Sequence, residues 1–264
     1  MTTRHPEETL VGGTANRGLV VRVGDTVRRP VRPTSASTHA LLHHLQDVGF
    51  SGAPRFLGLD THGREVLSFI EGTTVLPPYP AWSLSQEALD SVAHLLRDFH
   101  DATASFDAGA HAWGPALPAA YLDGSVVCHN DTNLDNVVFR DGRAVALIDF
   151  DLAAPGSRLW DVVDTARLWA PLRPAEDIDD SRCGHELTRL RRFLDVYGLD
   201  RHDRVRLPEV LLDTHDWTYE IVRAGVDGGN KNFGTYWRGG GSARAKRARE
   251  WYEREADRIR NAVL

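Results

Sequence analysis

Residues 127–151, VCHNDTNLDNVVFRDGRAVALIDFD, constrain this chain more than any other stretch. They read as strand, polar loop, strand, tight turn, strand. Val126 and Val127 run into a polar loop over 129–135, and Val137, Val138 and Phe139 form a short apolar strand. Asp141-Gly142 is a hairpin signal, because both central residues of such a turn need positive φ. Ala144 to Ile148 is a second apolar strand, and it ends on Asp149. Asp131, Asn136 and Asp149 are thereby set on the ends of a rigid hairpin. A polar hairpin with surface acids is the bland alternative, since Asp and Asn are common in loops. Two spaced motifs in a fixed order across such a hairpin argue against it.

Phosphoryl transfer to a hydroxyl needs one carboxylate to orient the hydroxyl and take its proton, and oxygen ligands to hold Mg²⁺ on the phosphates. His129-x-Asp131-x-x-x-x-Asn136 has the spacing of a kinase catalytic loop, and Asp149-Phe150-Asp151 falls where a metal-binding Asp-Phe-Gly would sit. The stretch resembles the aminoglycoside phosphotransferase and choline kinase family, small-molecule relatives of protein kinases. Ile148 to Asp151 is similar to that family's Ile-Asp-Phe/Trp-x segment, and Asp161 in LWDVV is similar to a later family Asp.

The resemblance implies an α+β, bilobal protein kinase-like fold. A small N-terminal β-sheet lobe would span 1–70 and a larger, mostly helical lobe 71–264, with ATP or, as the alternative, GTP between them. It implies that Asp131 deprotonates the acceptor hydroxyl, that Asn136 and Asp149 hold Mg²⁺, and that His129 orients the loop without acting as a base. Asp135 is expected to be solvated, and Asn133, being neutral, is no second base. Asp161 is expected to brace the loop by accepting backbone N–H bonds.

The 264 residues are 42% hydrophobic and 26% charged, an ordinary globular composition long enough for one large or two modest domains. The formal net charge of −6 argues against nucleic acid and permits a cationic substrate. Cys128 and Cys183 form no metal or disulfide pattern, which makes a reducing cytoplasm the default. The N-terminus has no apolar h-region, and no window approaches the ~18 apolar residues of a membrane span.

Residues 8–30 read as three short strands with Gly12, Gly13, Thr14 and Asn16 between the first two. GGTAN resembles the family's nucleotide loop, where glycines let backbone N–H groups approach phosphate. The third strand should carry a cation for the phosphates. The N-terminal half has no Lys, so the candidates are Arg28 and Arg29, which alternation puts on opposite faces. Arg29 shares a face with Val27 and is the expected one. Ser35 to Val48 has helical periodicity, with Ser37 or Thr38 as cap. Its acid, Asp47, lies at the wrong end to pair with the strand cation. His39 occupies roughly that position and is expected to be neutral or turned away, since a positive His39 would repel Arg29. APRFLGLD and REVLSFIEG complete five strands; the latter resembles the interlobe hinge, with Leu67 as gate and Ser68, Phe69 and Ile70 offering backbone groups to a purine.

Ser85 to Thr103 is an amphipathic helix on which His100 reads as a core histidine. Residues 104–124 read as loop, and Ser157–Trp169, Leu187–Tyr197, Pro208–Ala224 and Ala243–Val263 as helices, the last capped by Ser242. VDGGNKNFG, 226–234, is expected to be a flexible link. Glu209, Asp213, Asp216 and Glu220 share one helix face, which is either a solvated face balanced by arginines or an acidic wall for a polycationic acceptor. The expected partners are a nucleoside triphosphate and a small-molecule hydroxyl acceptor, bound by a monomer or dimer. A catalytically impaired nucleotide- or ligand-binding relative and a kinase of a peptide hydroxyl are the alternatives.

Overall fold

The computed structural model describes residues 6–10, 18–122 and 124–264. Gly12, Gly13, Thr14 and Asn16, the expected nucleotide loop, lie outside the described residues. Short β-branched runs broken by glycine turns give five antiparallel strands: β1 (Glu8–Thr9), β2 (Val21–Val23), β3 (Thr26–Arg29), β4 (Phe56–Leu59) and β5 (Glu65–Ser68). Their order is β1-β2-β3-β5-β4. The β3–β5 register sets Val27 opposite Leu67 and Arg29 opposite Glu65. Helix α1 (Ser35–Asp47) joins β3 to β4 and buries Leu41, Leu42 and Leu45. It starts two residues before the expected Ser37 cap. Thr34 stands at the cap and makes no side-chain capping bond. Ser35 Oγ instead accepts the Arg32 N–H, which fixes the entry into the helix.

The chain crosses to the second lobe along 69–80, and Gly72 makes the crossing possible. Its φ is 151°, and a Cβ there would lie 2.5 Å from Val138 Cγ1 and 2.6 Å from the Phe139 carbonyl oxygen. That approach lets Thr73 exchange both backbone hydrogen bonds with Phe139, at 2.8 and 2.9 Å.

Helix α2 (Gln86–Thr103) is capped by Ser85, whose side chain accepts from Ala88 N–H, and buries Leu89, Val92, Leu96, Phe99 and His100 along one face. Strand β6 (Val126–Cys128) enters the polar loop. Strands β7 (Val137–Arg140) and β8 (Arg143–Leu147) form the expected hairpin, with a register shift at Val138/Phe139. Strand β9 (Ala154–Gly156) pairs antiparallel with β6 and has no counterpart in the sequence reading, because Ala-Pro-Gly carries no strand pattern. Helix α3 (Arg158–Trp169) follows, capped by Ser157, whose side chain accepts the Trp160 N–H, and then α4 (Glu186–Tyr197), which stops at Gly198 with φ 84°.

Three helical expectations need correction. Helix α5 runs from Arg201 to Asp227 rather than starting at Pro208; Asp200 caps it through the Asp203 N–H, and Pro208 lies inside. Residues 226–234 are not a plain link: Asn230 caps a short helix, α6 (Lys231–Tyr236), through its bonds to the Asn232 and Phe233 N–H groups. Ser242 does not cap the last helix, α7 (Ser242–Val263), but is its first residue, because the backbone kinks at Gly239 and Gly240 and is helical again from Gly241.

The core lies in the second lobe around Trp160, Trp169, Phe99, Phe139, Phe150 and Phe193. Burial of each such ring contributes on the order of 2–3 kcal/mol, so the hairpin sits on the stiffest part of the molecule. Among the described residues, no helix is long and apolar enough to cross a membrane.

Candidate active site

The loop between β6 and β7 is held from below by one buried carboxylate. Asp161, on the first turn of α3, accepts the His129 N–H at 2.7 Å and the Asn130 N–H at 3.0 Å, and faces His100 Nε2 at 3.0 Å. Burial works against its ionisation, but these donors outweigh it and hold its pKa below the usual carboxylate range. The brace expected from the sequence is therefore present, and His100 is the satisfied core histidine, with Nδ1 2.7 Å from the Tyr197 hydroxyl. Asn130 sits at φ 62°, an uncommon conformation for a side-chain-bearing residue. It is locked there on both ends: its amide donates to the Leu152 carbonyl, and its oxygen accepts from Trp160 Nε1. His129 is fully buried, and Nε2–H donates to the Ile148 carbonyl at 3.1 Å, tying the loop to the end of β8. Burial pushes its pKa down to about 4, so it is neutral and suited to orienting rather than proton transfer.

This frame presents Asp131. Asn136 Nδ2 donates to Asp131 Oδ2 and to the Asp131 backbone carbonyl, both at 2.8 Å, and Asn133 Nδ2 donates to Asp131 Oδ1. Asn133 is thus no second base but a second clamp. Burial, then the negative Asp149, Asp135 and Asp164, raises the Asp131 pKa well above the ordinary range. A carboxylate so placed is a stronger proton acceptor.

Across from it, Asp149 adopts the left-handed conformation, φ 64° and ψ 69°. Arg29 Nη1 lies 2.9 Å from Asp149 and 3.0 Å from Asp151, and Arg32 Nε lies 2.7 Å from Asp151. Burial and the like-charged Asp151 push the Asp149 pKa up to about 6 against the pull of both arginines. Arg29 therefore points into the cleft, whereas Arg28 faces Asp60 at 3.8 Å. Arg29 Nε also lies 3.1 Å from Glu65, as an ion pair whose N–H is not aligned for a hydrogen bond. Of the two alternatives for His39, neutral or turned away, the second does not hold: its Nε2 is 3.0 Å from the other Glu65 oxygen, so an acid separates histidine from arginine. Asp151 and Glu65 are the functional side chains that the sequence reading missed.

The donor set suits a phosphate-bound Mg²⁺. Among the described residues, no three His, Cys, Asp or Glu gather into a metal cluster. Mg²⁺ takes only one or two carboxylates and completes its shell with phosphate and water. Asp149 would supply the carboxylate, and Asn136, whose amide nitrogen is committed to Asp131, would give its side-chain oxygen.

Between the lobes lies a cleft of about 310 Å³. Leu10, Val20, Val27 and Leu67 line its apolar roof and Val138 and Ile148 its floor, while Arg29, Asp135, Asn136 and Asp149 make the polar end. Ser68, Phe69 and Ile70 form the rear edge. The Ser68 N–H donates to the Arg55 carbonyl and the Phe69 N–H to that of Asp25. Among the described residues, the Ile70 N–H has no backbone partner. Asp135 lines the cleft instead of standing in solvent.

The acidic face of α5 is largely partnered within the chain. Asp213 accepts from the Tyr121 hydroxyl, and Asp216 pairs with Arg249 at 3.0 Å and with His215. Glu209 faces Arg260 at 3.8 Å. Glu220 is exposed. The balancing arginines come from α7 rather than from the neighbouring turns of α5.

Residues 104–197 match the family described as the phosphotransferase enzyme family. A trifolitoxin immunity protein from Rhizobium leguminosarum bv. trifolii is 35% identical over 226 residues, covering 82% of this chain and 84% of that protein. Among solved structures, a choline/ethanolamine kinase family protein from Mesorhizobium loti aligns over 98% of this chain and 92% of its own, at 18% identity and TM-score 0.64. The aminoglycoside phosphotransferase APH(2")-IIa in complex with gentamicin aligns over 95% and 94%, at 13% identity and TM-score 0.63. These two share the kinase-like fold. With the loop, the cleft and the relative's identity in agreement, the chain belongs to the phosphotransferase enzyme family, whose kinases move phosphate to hydroxyl groups.

Proposed function

We propose that this protein transfers the terminal phosphoryl group of a nucleoside triphosphate, ATP or GTP, to a hydroxyl of a small molecule, with Mg²⁺ on the phosphates. The observation that carries the reading is the pairing of a doubly clamped Asp131 with Asp149 and Arg29 at the polar end of an apolar cleft. A purine lies between Val27, Leu67, Val138 and Ile148 and takes the Ile70 N–H. Arg29 turns from Asp149 and Asp151 toward the phosphates. Bound Mg²⁺ supplies charge neutralisation, with Asp149 and Asn136 Oδ1 as its protein ligands. Asp131 orients the acceptor hydroxyl and receives its proton as the oxygen–phosphorus bond forms and the bond to the diphosphate breaks. The clamps from Asn133 and Asn136 hold that carboxylate in line, and positioning of this kind is the main lever in phosphoryl transfer.

The acceptor proposed is an aminoglycoside-like cation, drawn by the exposed Glu220 and by Asp213 and Asp216, which would exchange their Tyr121 and Arg249 partners for it. The gentamicin complex of a structural neighbour supports this. The name of the curated relative ties that protein to immunity against a toxin, which favours a toxic compound as acceptor over a housekeeping metabolite. Replacing Asp213 and Asp216 by Asn should raise the acceptor KM, more at low than at high salt, and leave the nucleotide KM unchanged. Acceptor kinetics indifferent to both changes would point to a neutral acceptor. Calorimetric titration with ATP and with GTP, with and without Mg²⁺, tests the nucleotide part; absence of binding by both would remove it.

A further inference from the structure

We propose that Glu65 is the anchor that positions Arg29 for the nucleotide phosphates, and that α1 sets this anchor through His39 and Ser35. What Arg29 does with phosphate rests on the reading above; how Arg29 is held does not.

Glu65 is fully buried, and a buried carboxylate persists only with partners. It has three. Arg29 Nε lies 3.1 Å from Oε1, Ser35 Oγ donates to the same oxygen at 3.2 Å, and His39 Nε2 stands 3.0 Å from Oε2. Arg29 and Glu65 face each other in the β3–β5 register, where opposite side chains are within reach of one another. The His39 ring cannot swing off, because it stacks on Phe56 with centroids 3.5 Å apart and planes 9° from parallel. Ser35 is fixed in turn by the Arg32 N–H.

The consequence is geometric. Asp149 and Asp151 pull Arg29 from the second lobe through Nη1. Glu65 holds the Nε edge on the first lobe, so the guanidinium keeps its Nη edge toward the cleft. In kinases a helix acid restrains the strand cation, and α1 has no acid but Asp47 in its last turn. Here the carboxylate sits on the adjacent strand, where sheet register fixes it, and α1 contributes the Ser35 and His39 contacts instead of an acid. Glu65, His39 and Ser35 are positioning residues, since they act through Arg29.

A double-mutant cycle tests this. Dissociation constants for Mg²⁺–ATP and midpoints of urea unfolding are measured for the wild type, Glu65→Gln, Arg29→Gln and the double variant. Glu65→Gln should weaken ATP binding roughly 10-fold, the scale on which side chains in direct contact couple in such a cycle. In the Arg29→Gln background the same change should weaken it by less than about 2-fold, since the residue it positions is gone. His39→Glu combined with Glu65→Gln, which moves the carboxylate onto α1, should recover most of the loss. Equal losses in both Arg29 backgrounds, or no loss in either, would overturn the proposal. If the relocated acid does not fold, Ser35→Ala decides: a smaller loss in the same direction, again absent without Arg29, supports the anchor, and an unchanged affinity overturns the part played by α1. Should the wild type bind neither ATP nor GTP, the proposed function fails while the unfolding cycle still judges the anchor. Coupled midpoints would sustain it and additive ones refute it.

Discussion

Asp161→Ala should unfold much of what makes the catalytic loop a loop. The carboxylate receives the His129 N–H, the Asn130 N–H and His100 Nε2, all at 3.0 Å or less, and is itself fully buried. Truncation leaves these groups facing a small apolar gap. An orphaned buried donor costs about 1–3 kcal/mol, so the loss over three donors sums to roughly 3–9 kcal/mol. That is a large fraction of the ~5–15 kcal/mol by which domains are stable. Asp161→Asn should cost about half as much, because its carbonyl oxygen still accepts one bond. The pH dependence has a defined sign. The folded pKa of Asp161 is lowered, so its contribution is present above the unfolded value of 3.8 and lost as pH falls through the folded one. The gap between wild type and Asp161→Ala should therefore be constant from pH 7 to about pH 5 and close only in more acid solution. Urea unfolding followed by far-UV circular dichroism at several pH values measures it. A penalty under ~1 kcal/mol at pH 7, or a gap that closes near neutrality, would refute the bracing role.

Asp131→Ala should cut turnover by roughly 10²–10⁴-fold, the worth of a general base, with nucleotide affinity near wild type in a calorimetric titration. Asp149→Asn should weaken nucleotide binding in the presence of Mg²⁺ far more than in its absence, and equal losses would remove Asp149 from the metal. Arg29→Ala should raise the nucleotide Kd or lower turnover, while Arg28→Ala, which removes only a 3.8 Å contact with Asp60, should do little. The reverse ranking in a binding assay would mean that the wrong face of β3 carries the phosphate cation.

The parts of this molecule that were legible in its sequence are those governed by local rules. The spacing His129-Asp131-Asn136 and the Asp141-Gly142 turn each depend on a few neighbouring residues. Strand alternation alone separated Arg29 from Arg28. What stayed hidden depends on partners far along the chain. Glu65 reads as one more polar residue at the start of a strand until the β3–β5 register sets it opposite Arg29. Asp151 fills a position where glycine is customary, and its meaning appears only when Arg29 and Arg32 arrive from the first lobe. Strand β9 is made by pairing with β6, against its own Pro and Gly. The start of α5 was misplaced because Pro208 looks like a helix start, whereas the true one is the Asp200 cap a full two turns earlier. Asn133 was within reach of sequence reasoning. A side chain two residues from Asp131 in a polar loop is placed to bond back to it, as Asx residues commonly do.

Phosphoryl transfer itself is the measurement that bears most directly on the account. The purified protein is incubated with Mg²⁺, ATP or GTP, and a panel of hydroxyl compounds headed by aminoglycosides, and phosphorus NMR follows the products. The account predicts a new phosphomonoester resonance with at least one acceptor, growing in step with the nucleoside diphosphate and absent with Asp131→Ala. Nucleotide binding without any phosphomonoester across the panel, or a product that forms equally well without the Asp131 carboxylate, would contradict it.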